Sequence, residues 1–93
     1  MDPDNVFDRL NEPPVPLEQL HQQSLKNRAY ARAVLEGLPD EVASPLREEL
    51  AELTRQFAAA YEAGDAVEHY RLDRHLMFQF MMKLSFTLQM HER

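Results

Sequence analysis

The sequence predicts an all-α fold, an antiparallel bundle of three main helices at about 17–36, 45–63 and 66–90 with a short N-terminal helical arm. Three observations carry the prediction. Apolar residues recur at spacings of three and four through most of the chain, and no segment has the strict alternation of a strand. The two glycines and most of the prolines fall between those periodic stretches, where helices start and stop. The last stretch, Asp65 to Met90, contains neither Gly nor Pro and carries apolar residues on more than one face.

Residues 1–93 read as a single domain in which 1–16 are an arm and a proline-rich spacer. Asp2 can cap a short turn with Pro3 at its first helical position, which sets Val6, Phe7 and Leu10 on one side of a segment that reads equally as a docking arm or a frayed terminus. Asn11 to Pro16 follows as an extended piece, because each proline ring fixes its own φ and disfavours helix in the residue before it. The first main helix then runs from Leu17 to Glu36. Its expected terminus is a left-handed Gly37, an apolar Leu38 and a Pro39 that cannot continue it. Leu17, Leu20, Ser24, Ala31 and Leu35 share its stripe, and Lys26, Arg28 and Arg32 read as a solvated basic face or as partners of acidic residues on the next helix.

Ser44-Pro45 has the form of a helix start, N-cap then N1, and Leu46, Leu50, Leu53, Phe57 and Tyr61 follow as the cleanest amphipathic stripe in the chain. Gly64 ends that helix and Asp65 caps the next, so the two helices form an antiparallel hairpin. On the last helix a regular repeat selects Ala66, Tyr70, Met77, Met81, Leu84 and Leu88 for the core. The expected core is therefore Leu50, Leu53, Phe57 and Tyr61 against Met77, Met81, Leu84 and Leu88. A second arc, Phe78, Met82 and Phe86, stands roughly 100° or more from the first, and one helical neighbour cannot cover both. With Tyr70, Leu76 and Met90 beside it, that arc is the expected protein interface, since Met and Phe are enriched at adaptable binding surfaces.

Composition narrows the function. A chain of 93 residues hides a smaller share of its surface than a larger domain, about 60–65%, so an isolated copy is marginal and a homodimer is expected. Sixteen acidic residues against ten basic ones give a formal charge of −6, which disfavours direct nucleic-acid binding and anionic membrane surfaces. The absence of cysteine excludes thiol chemistry and fits a cytoplasmic protein. The N-terminus lacks the layout of a signal peptide, and Leu76 to Met90 is too short and too interrupted to span a bilayer.

Catalytic chemistry finds little footing. No serine lies in a strand-turn-helix elbow, and both glycines are accounted for as helix ends, so neither a nucleophile nor a phosphate-cradling loop is expected. Glu18-Gln-Leu-His21 matches half of a di-iron motif, but no second copy accompanies it. His69 and Asp73 stand at i and i+4 near His75, with Arg71 and Arg74 between them, and a surface hydrogen-bond network accounts for the group. No cofactor and no metal are expected.

Pro13-Pro14 before Leu17-Glu18, Leu38-Pro39 after the first helix, Tyr61-Glu-Ala-Gly64-Asp-Ala66, and a closing His/Tyr/Met-rich helix together resemble the TraM-type antiactivators of LuxR-type quorum-sensing transcription factors. The resemblance spans most of Pro13 to Leu88. The segment from Asp40 to Glu49 has no counterpart in that pattern, and the apolar tail that follows the last helix in TraM is absent here. What the resemblance implies is a helical homodimer that binds a transcriptional activator and keeps it from dimerising or holding DNA. A small helical secretion chaperone or another adaptor is the alternative reading, and a metal-binding helical bundle is the third.

Overall fold

The structure of the protein, a computed structural model, describes residues 15–92, with side chains to residue 91. The expected N-terminal arm and its Asp2-Pro3 start lie outside the described residues. Those described form three antiparallel helices and no strand: α1 (Leu17–Glu36), α2 (Asp40–Glu62) and α3 (residues 66–92). No helix among them is long and apolar enough to cross a membrane.

Helix α1 opens on Pro16, whose carbonyl accepts from Leu20 N–H at 3.1 Å. It closes in a corner of only three residues. Gly37 is not left-handed as expected but right-handed, at φ −82°. The reason is the next residue pair: Leu38 turns into the core, its N–H bonded to Leu35 O at 3.1 Å, and Pro39 immediately becomes the N-cap residue of α2. With no room for a Schellman turn, the last turn of α1 tightens instead.

Helix α2 therefore begins at Asp40, five residues before the expected start at Pro45, and Ser44 is exposed within it with no capping role. Val42 and Ala43 N–H groups bond to Pro39 O at 3.0 and 2.9 Å, and Asp40 and Glu41 sit where the helix dipole favours negative charge. Pro45 removes one hydrogen bond near this end. Burial of Ala43 and Leu46 in the core offsets that loss. At the other end Gly64 adopts φ +67°, with Asp65 N–H reaching back to Ala60 O at 2.9 Å and Gly64 N–H to Tyr61 O at 3.0 Å. This is a Schellman-type stop, and Asp65 then caps α3 by accepting from Glu68 N–H at 3.0 Å.

Helix α3 is not uniform: Ala66–Arg71 is α-helical, Leu72–Met77 is π-helical, and Phe78–Glu92 is α-helical again. The wide π turn absorbs one residue and shifts the phase of everything after it. A regular repeat from Ala66 would bury Tyr70, Met77, Met81 and Leu84. The buried residues are His69, Leu72, Met77, Phe80 and Leu84, with a step of five between Leu72 and Met77 where the π turn lies. Phe80, absent from the expected stripe, is fully buried.

The core joins Ala31, Leu35 and Leu38 to Ala43, Leu46, Leu50, Leu53, Phe57 and Ala60 of α2 and to Leu72, Met77, Phe80 and Leu84 of α3. Met81, Leu88 and Leu76 pack at its edge, and Tyr61 is half-buried. Helix α1 meets α3 mainly along Ala66–Arg71, so the segment Phe78–Glu92 leans chiefly on α2. That one-sided support leaves its far face open.

Candidate functional site

Two features stand apart from the apolar core. The first is the outer face of α3. Phe78, Met82, Phe86 and Met90 follow one another every four residues and are 59%, 59%, 64% and 53% exposed. They lie opposite Phe80 and Leu84, which are buried. Successive residues four apart on an α-helix form a continuous ridge, and such ridges interdigitate when two helices pack. Leu76, expected on this face, packs at the edge of the core instead, and Tyr70 is half-buried under the Arg74 guanidinium, 6.0 Å from its ring centre. Val67, which precedes the π turn at the other end of the helix, is also exposed.

Charge is nearly absent from this part of the helix. From Leu76 to Met90 the one ionic residue is Lys83, and its ammonium is paired with both carboxylate oxygens of Glu49 on α2, at 3.0 and 3.1 Å. An apolar row flanked by Gln79, Ser85 and Gln89 has the composition of an interface centre, where charged residues are depleted and aromatic and Met side chains enriched.

The second feature is a polar junction where the first half of α1 meets the corner of α2 and α3. His69 was expected in a surface network with Asp73; it lies in the α-helical turn before the π segment, where His21 of α1 and Phe57 of α2 cover it, and is fully buried. Its Nε2 lies 3.1 Å from Nδ1 of His21, and its ring sits 4.9 Å from that of Phe57. The His21 ring stacks on Tyr61 at 3.8 Å, and the Tyr61 hydroxyl donates to the Glu18 carboxylate. That hydrogen bond holds the Glu18 carboxyl below its ordinary range and pushes the Tyr61 phenol up. Glu18 and His21, the two ends of the half-motif, thus turn to different partners. Among the described residues no three His, Cys, Asp or Glu side chains are grouped to hold a metal ion.

Arg28 departs furthest from the sequence reading. Placed on a solvated basic face with Lys26 and Arg32, it is instead 2% exposed. Its Nε donates to Ser24 O at 3.2 Å and its guanidinium lies 4.8 Å from the Phe57 ring centre, a cation–π arrangement. Its Nη2, Ser24 Oγ and His69 Nδ1 are buried without a hydrogen-bond partner. Burial lowers the Arg28 pKa, though a guanidinium stays charged. Asp73 on the π turn supplies an opposing charge, and its own carboxyl is pushed up by burial despite that attraction. The sequence signal for this cluster was present but faint: Ser24, Arg28 and Ala31 continue the apolar stripe at helical spacing, so a long side chain in the stripe had to be buried or break it.

No family model, curated protein or solved structure matches this chain.

Proposed function

We propose that the protein is a non-catalytic, cytoplasmic protein-binding regulator that acts as a homodimer through the outer face of α3. The observation that carries this is the exposed row Phe78, Met82, Phe86 and Met90 on a helix segment that leans chiefly on one neighbour. A second copy suits the face for two reasons. A ridge repeating every four residues is self-complementary across a two-fold axis, as helices packing ridge into groove require. Each copy carries a formal charge of −6, and this face is where carboxylates are missing, so two copies repel least when they meet there.

The specific regulator is an antiactivator: a dimer that binds a transcriptional activator, in keeping with the TraM-type resemblance of Pro13 to Leu88. The polar groups of the junction support a role without catalysis, since Glu18, Tyr61, His21 and His69 are engaged with one another across helices. The test is purification of the chain from its native cells, followed by addition of the dimer to the recovered regulator on its own DNA site. Recovery of a DNA-binding regulator whose DNA complex the dimer dissolves, with Phe86→Asp inactive, supports the reading. Recovery of a secreted or filament subunit assigns the chain to chaperones instead.

A further inference from the structure

The contact between α1 and the α2–α3 corner is closed by a pair of imidazoles. With His21 Nδ1 and His69 Nε2 3.1 Å apart, one nitrogen must donate and the other accept. The contact therefore persists with no added proton or with one, and fails with two. A first proton settles on His21, which is half-buried and stacked on Tyr61. A second would sit on the fully buried His69, edge-on to a charged neighbour and close to Arg28.

We propose that this pair is a proton-operated latch: acidification releases the first half of α1, residues 17–28, from the corner of α2 and α3 while the α2–α3 hairpin stays folded. The groups facing the pair come from all three helices. From α1 there are Glu18 and Arg28, with Arg32 acting on Arg28 from the next turn. Helix α2 contributes Tyr61, and α3 contributes Asp73, while Glu68 and Arg71 are paired with each other at the rim. Glu18 attracts a proton toward His21 but less than burial and Arg28 oppose it. Asp73 faces Arg28 and hydrogen-bonds neither imidazole among the described residues.

The sign follows directly. Burial first, then the neighbouring cations, lowers both histidines from 6.5, so the folded state binds fewer protons than the unfolded one. The junction is fully stable above that value and weakens as pH falls below it. Asp73, pushed upward by burial, binds its proton more readily in the folded state than in the unfolded one, so it opposes the loss as pH falls and does not add to it. The hairpin has independent support in the Gly64 turn, the Asp65 cap, the Lys83–Glu49 pair and the core between Leu46 and Leu84.

The experiment is amide hydrogen exchange of the full chain at pH 7.5 and 5.5, corrected for intrinsic rates, with imidazole NMR titration of the same protein. Protection of residues 17–28 should fall by about tenfold or more while that of α2 and α3 changes little. His21→Asn, which removes the second titrating ring at a half-buried position, should abolish the difference. If that variant does not fold, the wild-type titration decides: two coupled transitions below 6.5 uphold the latch, and two independent ones at 6.5 overturn it. Uniform loss of protection in all three helices, or none, also overturns it.

Discussion

Replacing Phe78 by Asp isolates the dimer face from the fold. Phe78 is 59% exposed, which for a phenylalanine leaves about 120 Å² of ring open to water. At about 25 cal/mol per Å², covering that area stabilises the pair by about 3 kcal/mol per copy if complete and about half as much at a rim. A two-fold interface loses the contribution twice. The dissociation constant should therefore rise by roughly 10²–10⁴, the equivalent of about 3–6 kcal/mol. The monomer should scarcely notice: an exposed helical position changed to Asp costs less than about 1 kcal/mol. Sedimentation equilibrium of wild type and variant across micromolar concentrations measures the first quantity, and urea denaturation of the monomer the second. A wild-type chain that is monomeric at high micromolar concentration, or a Phe78→Asp dimer as tight as wild type, would refute the assignment of this face to a second copy.

Phe80→Ala should behave in the opposite way, costing about 3–5 kcal/mol of folding stability because its ring is fully buried, whereas Phe78→Ala two residues earlier should cost little in the monomer; equal effects would place the π turn in error. Gly64→Ala should destabilise by about 1–2 kcal/mol, since Gly64 holds φ +67°. Gly37→Ala should be neutral or stabilising by up to about 1 kcal/mol, because Gly37 is right-handed and an added Cβ would meet only Val34 O at an ordinary 3.5 Å. Loss of the Asp65 cap in Asp65→Ala should cost about 1 kcal/mol in the same denaturation assay.

The sequence disclosed the helices that are bounded by local chemistry. Gly64 and Asp65 act on their immediate neighbours, so the α2–α3 corner was readable from a handful of residues. Leu50, Leu53 and Phe57 likewise follow an uninterrupted repeat. Ser44-Pro45 misled because a start signal was present but unused: the corner at Gly37 to Pro39 had already begun the helix, and Ala43 anchors it upstream of the proline. The larger miss was the π turn. Nothing in Leu72 to Met77 announces a wide turn: the segment holds no Gly or Pro, and its apolar spacing fits an α-helix as well. Every residue beyond it inherits the shift, which is why Phe80 moved inside, whereas His69 lies before the turn and is buried against His21 and Phe57. The exposed row survived the error because Phe78, Met82, Phe86 and Met90 all lie after the turn and keep their mutual spacing.

Whether protein covers the outer face of α3 in the cell can be measured by placing a photo-cross-linking phenylalanine analogue at Phe86, with one at Tyr30 as the control. Tyr30 is 62% exposed on α1, against 64% for Phe86, so exposure alone does not separate them. Irradiation should yield a discrete protein adduct from position 86, a second copy of the chain or its regulator, and none from position 30. Adducts of equal yield from both positions, or none from position 86, would contradict the account.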